Sequence, residues 1–445
     1  MAALAESAIL KDRLGFEQAA AKYPAFPRTV LRKLDTALRG VLISPSALDR
    51  ARQEGAVYDP VPEKGATPVK PSLRGAFFSD ATLFRDIEVD EQDFKRRIKQ
   101  GAPYTLDLVD GKPYLVDGGV PVEQTFFSPL PSYYGKRTQR GTLLEKVVGA
   151  GPANCLNLNI LSYCNSWKEH LPCKYCDYPP SFRSRGSFTP QGWLTQEGLD
   201  DIVEAVSVAL QEVGHFTTLR IQSGSDPHGA RPFENEVAQY VRVLEALQGV
   251  FGTAKVPARL VASAFPKDQS AGLAAAGASG YEPHLEVWDP QAFEWVCPAK
   301  ARYFGRDYWI QSAVDAVESF GRGNVCTQFV AGAELAGPHG LPTPEAALES
   351  TLEGAEYFAQ RGVVPVSIVL WVGRGSIFFR DKQAAPPLEY YVRLAQGFRD
   401  IRRRHRLASD INDYRSCAVH PEADLGRLDA HRAVNGKPGA APCPH

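Results

Sequence analysis

Residues 155–176 read CLNLNILSYCNSWKEHLPCKYC and join a short apolar run to a loop rich in cysteine. The run at 155–162 has the length of a buried strand, and a helical pattern follows at 196–213. The loop between them carries Cys164, Cys173 and Cys176 in a C-x8-C-x2-C arrangement. The stretch therefore predicts the first strand and the first strand-to-helix loop of a larger unit.

The same alternation of strand and helix continues to about residue 400. Further strands are predicted at 216–222, 258–264, 283–288, 325–331 and 364–371, and further helices at 234–250, 268–277, 307–319, 344–360 and 387–404. Repeated alternation favours a parallel sheet, so we predict the α/β class and a (β/α) barrel. Six units are two fewer than a closed barrel needs, which leaves both a partial barrel and a full TIM-like barrel open.

The flanks differ from this pattern. Residues 1–145 combine helical patterns with alternating apolar and polar residues at 104–123, on either side of Asp110-Gly111, which predicts a β-hairpin. We predict an N-terminal α+β accessory domain over 1–145, the barrel over 146–407, and a C-terminal tail over 408–445 that could act as a lid.

Composition excludes several classes of function. The chain has 445 residues, with 50 Lys plus Arg against 51 Asp plus Glu, so its net charge of −1 gives no general attraction to nucleic acid. No apolar stretch is long enough to span a membrane, and charged residues interrupt the N-terminal segment. We expect a cytoplasmic protein that acts on a small molecule and binds neither nucleic acid nor membrane.

The cysteine loop is the strongest chemical signal. Three thiolates on one loop can hold three irons of a four-iron cluster and leave the fourth iron open. Zinc is the alternative, because His170 lies inside the loop and could supply a fourth ligand. The separate cysteines Cys155, Cys297 and Cys326 are interpreted as ordinary buried residues.

With Tyr175 directly before the third cysteine, the loop resembles that of the radical SAM superfamily, where the usual spacing is C-x3-C-x2-C. The first gap here is eight residues instead of three. The pattern is most similar to the branch of biotin synthase, hydrogenase maturases and methylornithine synthase. The resemblance implies a [4Fe-4S] cluster on Cys164, Cys173 and Cys176, with Tyr175 beside it, and S-adenosylmethionine (SAM) as the second cofactor.

The segment LRIQSGSDP at 219–227 resembles the QSGED segment of this branch. The resemblance implies that Ser223, Gly224, Ser225 and Asp226 contact the amino-acid end of SAM. Glycine backbone and a nearby carboxylate suit such a contact. A turn that forms hydrogen bonds only within itself is the alternative interpretation.

Two later strands carry further matches to this branch. Glu286, in PHLEVW, matches a glutamate that could accept hydrogen bonds from SAM, and Gly332, in VCTQFVAGAE, would let the adenine or ribose approach closely. Arg306 is preferred over Lys300 and Arg302 as the partner of the SAM carboxylate.

Strand alternation also selects side chains that could line the interior of the barrel. They are Asn157, Asn159, Arg220, His228, Ser263, His284, Gln328, Ser367 and Arg374. His284 could equally be a core residue.

The resemblance implies radical chemistry. A flavodoxin- or ferredoxin-type donor supplies one electron, SAM is cleaved to methionine and a 5′-deoxyadenosyl radical, and the radical abstracts hydrogen from an amino acid or a cofactor or natural-product precursor. Cys417, in DYRSCAVH, is a candidate catalytic hydrogen donor. The outcome could be a lyase reaction, a rearrangement, or C–C or C–S bond formation.

Two other interpretations stay open. One is a zinc-stabilised β/α protein that binds a ligand or partner without radical chemistry. The other is a radical SAM fold that has lost catalysis and serves as a scaffold. An iron–sulfur protein would be brown and oxygen-sensitive, whereas a zinc protein would be colourless.

Overall fold

The computed structural model describes eleven segments of the chain. They are residues 14–59, 71–73, 75–84, 87–92, 100–150, 155–161, 163–177, 194–212, 216–370, 372–407 and 420–435. Cys417 lies outside the described residues.

Strands and helices are numbered separately in chain order. The strands are β1 (Val41–Ile43), β2 (Val57–Tyr58), β3 (Ser72–Leu73), β4 (Ala76–Phe78), β5 (Leu83–Phe84), β6 (Ile87–Glu88), β7 (Tyr104–Val109), β8 (Lys112–Asp117), β9 (Val120–Phe127), β10 (Val148–Ala150), β11 (Cys155–Leu161), β12 (Thr218–Ser223), β13 (Val256–Ala262), β14 (Ala278–Pro283), β15 (Val325–Ala331) and β16 (Val363–Val369). The helices are α1 (Phe16–Lys22), α2 (Arg28–Arg39), α3 (Pro45–Gln53), α4 (Leu144–Val147), α5 (Asn165–Lys168), α6 (Gln196–Ala209), α7 (Glu234–Phe251), α8 (Lys267–Ala275), α9 (Pro290–Val296), α10 (Pro298–Tyr303), α11 (Arg306–Phe320), α12 (Pro344–Gln360), α13 (Ile377–Arg380), α14 (Leu388–Arg404) and α15 (Pro421–Asn435).

The larger sheet is an open, partial barrel. Strands β11 to β16 are parallel and pair in sequence order, and β10 pairs antiparallel with the free side of β11. Helices separate consecutive strands of this sheet, as in β/α units. The predicted α/β class and the partial form of the barrel are confirmed, because within the described residues the sheet ends at β16.

Alternation along the strands separates two faces of this sheet. On β12, Leu219 and Ile221 are buried in the main hydrophobic core, which the surrounding helices share. Arg220 lies between them in sequence and Gln222 follows Ile221, so both point to the opposite face. The core thus lies between sheet and helices, and the inner face of the barrel carries polar side chains.

A second, mixed sheet lies in the N-terminal part of the chain, in the order β5-β4-β9-β8-β7-β1-β6. The predicted hairpin is present as β7 and β8, and Asp110 and Gly111 at its turn have φ of 49° and 74°. Two positive φ values match the twist that a two-residue hairpin needs. Helix α2 precedes this sheet, yet Val30, Leu31 and Leu34 pack in the barrel's core. The domain boundary at residue 145 stays a prediction.

The fourth barrel strand lies earlier in the chain than we predicted. It spans Ala278–Pro283 instead of 283–288. Its sequence, ASGYEP, contains small residues and proline and lacks the β-branched residues that signal a strand. The apolar run that follows it forms a buried loop, in which Trp288 and the N-cap Asp289 donate backbone hydrogen bonds to Glu334.

The free edge of β16 is covered by side chains. The backbone N–H and the hydroxyl of Ser367 donate to Glu422 at 2.9 and 2.7 Å, and the His420 ring bonds the Ser367 carbonyl. Arg402, on α14, donates to the carbonyl of Pro365 at 2.8 Å and lies 3.6 Å from Glu422. Main-chain groups that another parallel strand beyond β16 would have paired are thus satisfied by side chains.

Helix α15 also connects this edge to the rest of the protein. Asp424 forms a buried ion pair with Lys33 of α2. Arg427 donates to the Asp80 carbonyl at 2.7 Å and to the Thr82 hydroxyl at 2.8 Å, between β4 and β5 of the N-terminal sheet. Within the described residues, no helix is long and apolar enough to cross a membrane.

We predict that Glu422→Ala lowers the free energy of unfolding by about 3 kcal/mol, because it leaves the Ser367 amide without its acceptor and the buried Arg402 guanidinium without its opposite charge. Urea unfolding followed by tryptophan fluorescence measures the change. Asp429→Ala is the control on the same helix, since its carboxylate is partly exposed and 3.5 Å from Arg403. It should cost about 0.5 kcal/mol or less. Equal losses in the two variants would contradict the edge role of Glu422.

Candidate active site

The cysteine loop follows β11 at the carboxyl end of the parallel sheet. Cys164 directly precedes the short helix α5, and the turn at Cys173–Cys176 is closed by a 3.0 Å hydrogen bond from the Cys176 amide to the Cys173 carbonyl. All three thiols are free of disulfides and partly accessible. The structure therefore gives this loop the position that the sequence predicted.

The start of the loop is held by the segment after β12. The Asn165 amide donates to the Ser225 carbonyl at 2.8 Å. A Cβ atom on Gly224 would lie 2.0 Å from the Tyr163 carbonyl oxygen and 2.8 Å from the Cys164 Cα. Only glycine permits this approach of the two backbones.

The end of the loop is held by two helices. The Lys174 amide donates to the Val296 carbonyl at the end of α9, at 2.8 Å. The Lys174 carbonyl accepts from the Phe378 amide of α13 at 2.9 Å. Both ends of the cysteine-bearing segment are thus fixed by main-chain hydrogen bonds.

A fourth cysteine reaches this loop from a distant part of the chain. The Cys297 thiol hydrogen-bonds with that of Cys173, which lowers the pKa of Cys173, while burial raises the pKa of Cys297 well above its usual value. Burial also raises the pKa of Tyr175, and Glu286, Cys173 and Cys297 act in the same direction. Sequence analysis treated Cys297 as an ordinary buried residue, and no spacing signal connects it to the loop.

The segment 223–226 forms a hydrogen-bonded network with Glu236 of α7. Glu236 accepts from the Asp226 amide at 2.9 Å, from the Ser263 amide at 3.1 Å and from the Ser223 hydroxyl at 3.3 Å. Burial raises the pKa of Glu236 to about 7. Sequence analysis missed Glu236, because a carboxylate in an amphipathic helix usually faces solvent.

Asp226 is almost completely buried and has its own protein partners. Its carboxylate accepts from the Tyr163 hydroxyl at 2.8 Å and lies 2.6 Å from Nδ1 of His228. Ser225 and Ser263 share a hydrogen bond of 2.7 Å between their hydroxyls. The segment therefore forms internal hydrogen bonds and also contacts the cysteine loop, and its part in SAM binding stays a prediction.

Glu286 lies just beyond β14 in a strained conformation. Its φ of 80° is in the left-handed region, which costs a non-glycine residue on the order of 1–3 kcal/mol. Main-chain hydrogen bonds with Gln328 and Val330, at 2.8 and 2.9 Å, hold it there. Its Oε2 is buried and has no hydrogen-bond partner among the residues that the structure describes. A buried, unpartnered carboxylate oxygen beside the cysteine loop can accept a hydrogen bond from a bound ligand.

Lys300 neutralises Glu286. Its Nζ lies 3.3 Å from Glu286 Oε1, donates to the His284 carbonyl at 2.6 Å, and sits 4.1 Å from the centre of the Trp309 ring. Burial lowers the pKa of Lys300, but the charges of Glu286, Cys297 and Cys173, together with the hydrogen bond to Glu286, outweigh it and raise the pKa above its usual value. Lys300 therefore stays protonated at neutral pH.

Two predicted site residues have packing contacts of their own. Arg306 donates to the Trp288 carbonyl at 2.6 Å and stacks on the Trp288 ring at 4.2 Å. Gly332 has φ of 99°, and a Cβ there would lie 2.2 Å from the ring of Pro386. Both contacts explain these residue types without a ligand, and their roles toward SAM stay predictions.

In the described part of the chain, no three His, Cys, Asp or Glu residues are grouped closely enough to hold a metal ion, and this applies to Cys164, Cys173 and Cys176 as well as to a zinc site with His170. His170 is exposed.

Two of the side chains predicted to line the barrel interior have protein partners instead. Ser367 forms a hydrogen bond with Glu422 at the barrel edge, and Ser263 forms one with Glu236.

Comparison with known proteins gives one curated relative. No family model matches the chain. The bacteriochlorophyllide c C-7(1)-hydroxylase of Chlorobaculum limnaeum is 28% identical over 127 residues, which is 28% of this chain and 28% of that protein. The match thus spans little more than a quarter of the relative's length.

Three solved structures are similar to parts of the chain. HydG, a maturase of the [FeFe]-hydrogenase, has a TM-score of 0.39 and 17% identity over 57% of this chain and 51% of its own. Methylornithine synthase (PylB) has a TM-score of 0.37 and 13% identity over 62% and 78%. A radical SAM methyltransferase from Sphaerobacter thermophilus has a TM-score of 0.37 and 13% identity over 92% and 98%. The chain spans about half of HydG. The third of these structures is described as a radical SAM enzyme, and the cysteine loop resembles that superfamily.

We predict that Gly224→Ala displaces the cysteine loop, because the new methyl group would overlap the Tyr163–Cys164 backbone. The expected result is about 10- to 100-fold weaker metal binding, as for other changes that misplace ligands. Iron per chain after anaerobic reconstitution measures it, with circular dichroism to verify folding. Gly249→Ala is the control, since nothing lies within 4 Å of its added Cβ. Full iron content in Gly224→Ala would contradict the prediction.

We predict that Glu236 makes stability depend on pH. The folded protein keeps this proton up to about pH 7, whereas the unfolded chain releases it near 4.5, so stability falls as pH rises between these values. Glu236→Gln should therefore gain about 2–3 kcal/mol relative to wild type between pH 5 and pH 8. Urea titrations across this range measure the difference. Glu245→Gln, at an exposed position of α7, is the control. Parallel stability curves for wild type and Glu236→Gln would refute the assignment.

Proposed function

We propose that this chain is a radical SAM enzyme that acts on a small molecule. The observation that carries the proposal is the cysteine loop: three free thiols, on a segment fixed at both ends, at the carboxyl edge of an open parallel barrel. Active sites of β/α barrels form at this edge.

The residues present suit both cofactors. Cys164, Cys173 and Cys176 provide the three thiolates of a [4Fe-4S] cluster with one open iron. The buried Oε2 of Glu286 has no protein donor and would accept a hydrogen bond from SAM. When bound, the cluster would provide one-electron reduction of SAM and, through it, a 5′-deoxyadenosyl radical able to abstract hydrogen from the substrate.

The protein's own residues position and protect this chemistry. Gly224 and Ser225 fix the start of the loop, and Val296 and Phe378 fix its end. Tyr175 is partly buried and packs against the hydrophobic core close to Glu286 and the thiols, so it would help to exclude water from the cluster side of the site. Cys417 remains our proposed hydrogen donor, on the basis of the sequence.

The test is anaerobic reconstitution followed by iron and zinc analysis and EPR of the reduced protein, with and without SAM. Dithionite replaces the flavodoxin- or ferredoxin-type donor that the proposal requires. We expect about four irons per chain, an EPR signal that changes when SAM is added, and release of 5′-deoxyadenosine.

Single Cys→Ala changes at positions 164, 173 and 176 should each abolish the SAM-sensitive signal. Cys155→Ala is the matched control, because Cys155 lies on β11 and is buried away from the loop. One zinc and no iron would overturn the proposal in favour of a zinc-stabilised binding protein. A cluster with no SAM cleavage would favour a scaffold that has lost catalysis.

A further inference from the structure

The inner face of the barrel is unusually polar. Strand register places Asn157 beside Arg220 and Arg220 beside Arg259, and one row further on it places Asn159 beside Gln222. The interior of a closed barrel is normally filled by branched apolar side chains. Polar rows at these positions indicate a space that holds a polar ligand.

Three cations around this face have carboxylate partners, whereas Arg220 has none in the described part of the chain. Arg259 pairs with Glu282 at 2.9 Å, Lys300 with Glu286 at 3.3 Å, and Arg402 with Glu422 at 3.6 Å. Within the described residues, the guanidinium of Arg220 makes no hydrogen bond or ion pair, and its Nε is fully buried. Arg220 as a whole is partly exposed, but its buried Nε–H lacks an acceptor, which a bound anion would provide.

His284 provides a second unsatisfied donor. Its Nδ1 accepts the Gln328 amide at 3.1 Å, so the hydrogen of the neutral ring is on Nε2. In the described part of the chain, that Nε2 is buried without a hydrogen-bond partner, although Glu282 Oε2 lies 3.6 Å away, and the whole residue is 8% exposed. Burial lowers the pKa of His284 to about 4, and the positive charge of Arg220 contributes. His284 is therefore an uncharged donor within electrostatic range of Arg220.

We propose that Arg220 and His284 bind the carboxylate of the substrate, which makes the substrate a small carboxylic acid. This inference rests on the proposed function, since it assigns the substrate class of the same site. A guanidinium binds a carboxylate through two parallel hydrogen bonds, and Nε2 of His284 adds a third donor. One positive charge matches a monoanion better than a doubly charged phosphate.

Arg220 lies at a distance from residues 223–226, the segment predicted to contact SAM. It precedes Ser223 by three residues on β12, which corresponds to about 10 Å along a strand. The cysteine loop contacts the segment after Ser223. A ligand on Arg220 would thus lie deeper in the barrel than the cofactors.

The first experiment compares two neighbouring arginines on the protein as purified. Arg220→Gln removes an unpaired charge and should raise the apparent Tm by about 2 °C. Arg259→Gln breaks the buried pair with Glu282 and should lower it by about 6 °C or more. A drop in Arg220→Gln as large as that in Arg259→Gln would overturn the proposal, because Arg220 would then be a structural partner.

The second experiment adds sodium acetate, sodium phosphate or sodium chloride at equal ionic strength. Relative to chloride, acetate should raise the Tm of the wild type by about 2 °C and leave Arg220→Gln unchanged. His284→Phe should reduce the shift. No acetate shift in the wild type, an equal shift in Arg220→Gln, or a larger shift with phosphate would each overturn carboxylate recognition.

A third measurement, by EPR, tests whether Arg220 binds the substrate or SAM. The EPR change on adding SAM should be the same in wild type and Arg220→Gln. Its loss in the variant would assign Arg220 to the carboxylate of SAM and overturn the substrate assignment. The two stability measurements need no iron, so they remain decisive for the anion site even if reconstitution finds only zinc.

Discussion

A parallel sheet that stops after six strands leaves one edge of unpaired main-chain groups, and much of this structure is arranged around that edge. The amide and carbonyl of Ser367 are satisfied by Glu422 and His420, and the carbonyl of Pro365 by Arg402. Proline within β16 suits an edge position because it has no amide to leave unpaired. The same helix that covers the edge also binds α2 through Asp424, so the barrel, its edge and the N-terminal helices form one connected network.

Leaving the barrel open changes what its interior can contain. A closed barrel excludes water with layers of branched side chains, whereas this one presents amides, guanidinium groups and carboxylates on its inner face. Burying these groups is tolerated because most of them are paired, as Arg259 is with Glu282. Buried atoms without a hydrogen-bond partner occur in several parts of the described chain, and those of Arg220, His284 and Glu286 are among them. These three belong to the barrel strands or to the loop that follows β14, which is why we assign them to ligands.

Much of the fold was predictable because its signals are local. The helix at 344–360 and the strand at 325–331 were predicted with the bounds that they have, since each has a clear apolar period. The strand Ala278–Pro283 was misplaced because its burial comes from tertiary packing and not from its residue types. In the candidate site, the three cysteines were visible as a spacing. Cys297 and Glu236 were not, because their roles arise from contacts between residues far apart in the chain.

The residues that cover the edge of β16 lie far behind it in the chain, and this affects folding during translation. His420 and Glu422 are translated about 50 residues after β16, which is a delay of several seconds at about 5–20 residues per second. During that interval the nascent barrel carries a hydrophobic, parallel strand with an open edge, the feature most prone to pairing with other chains. Chaperone binding would therefore protect the nascent chain most after β16 has emerged from the ribosome and before α15 has, when the edge of β16 is still uncovered.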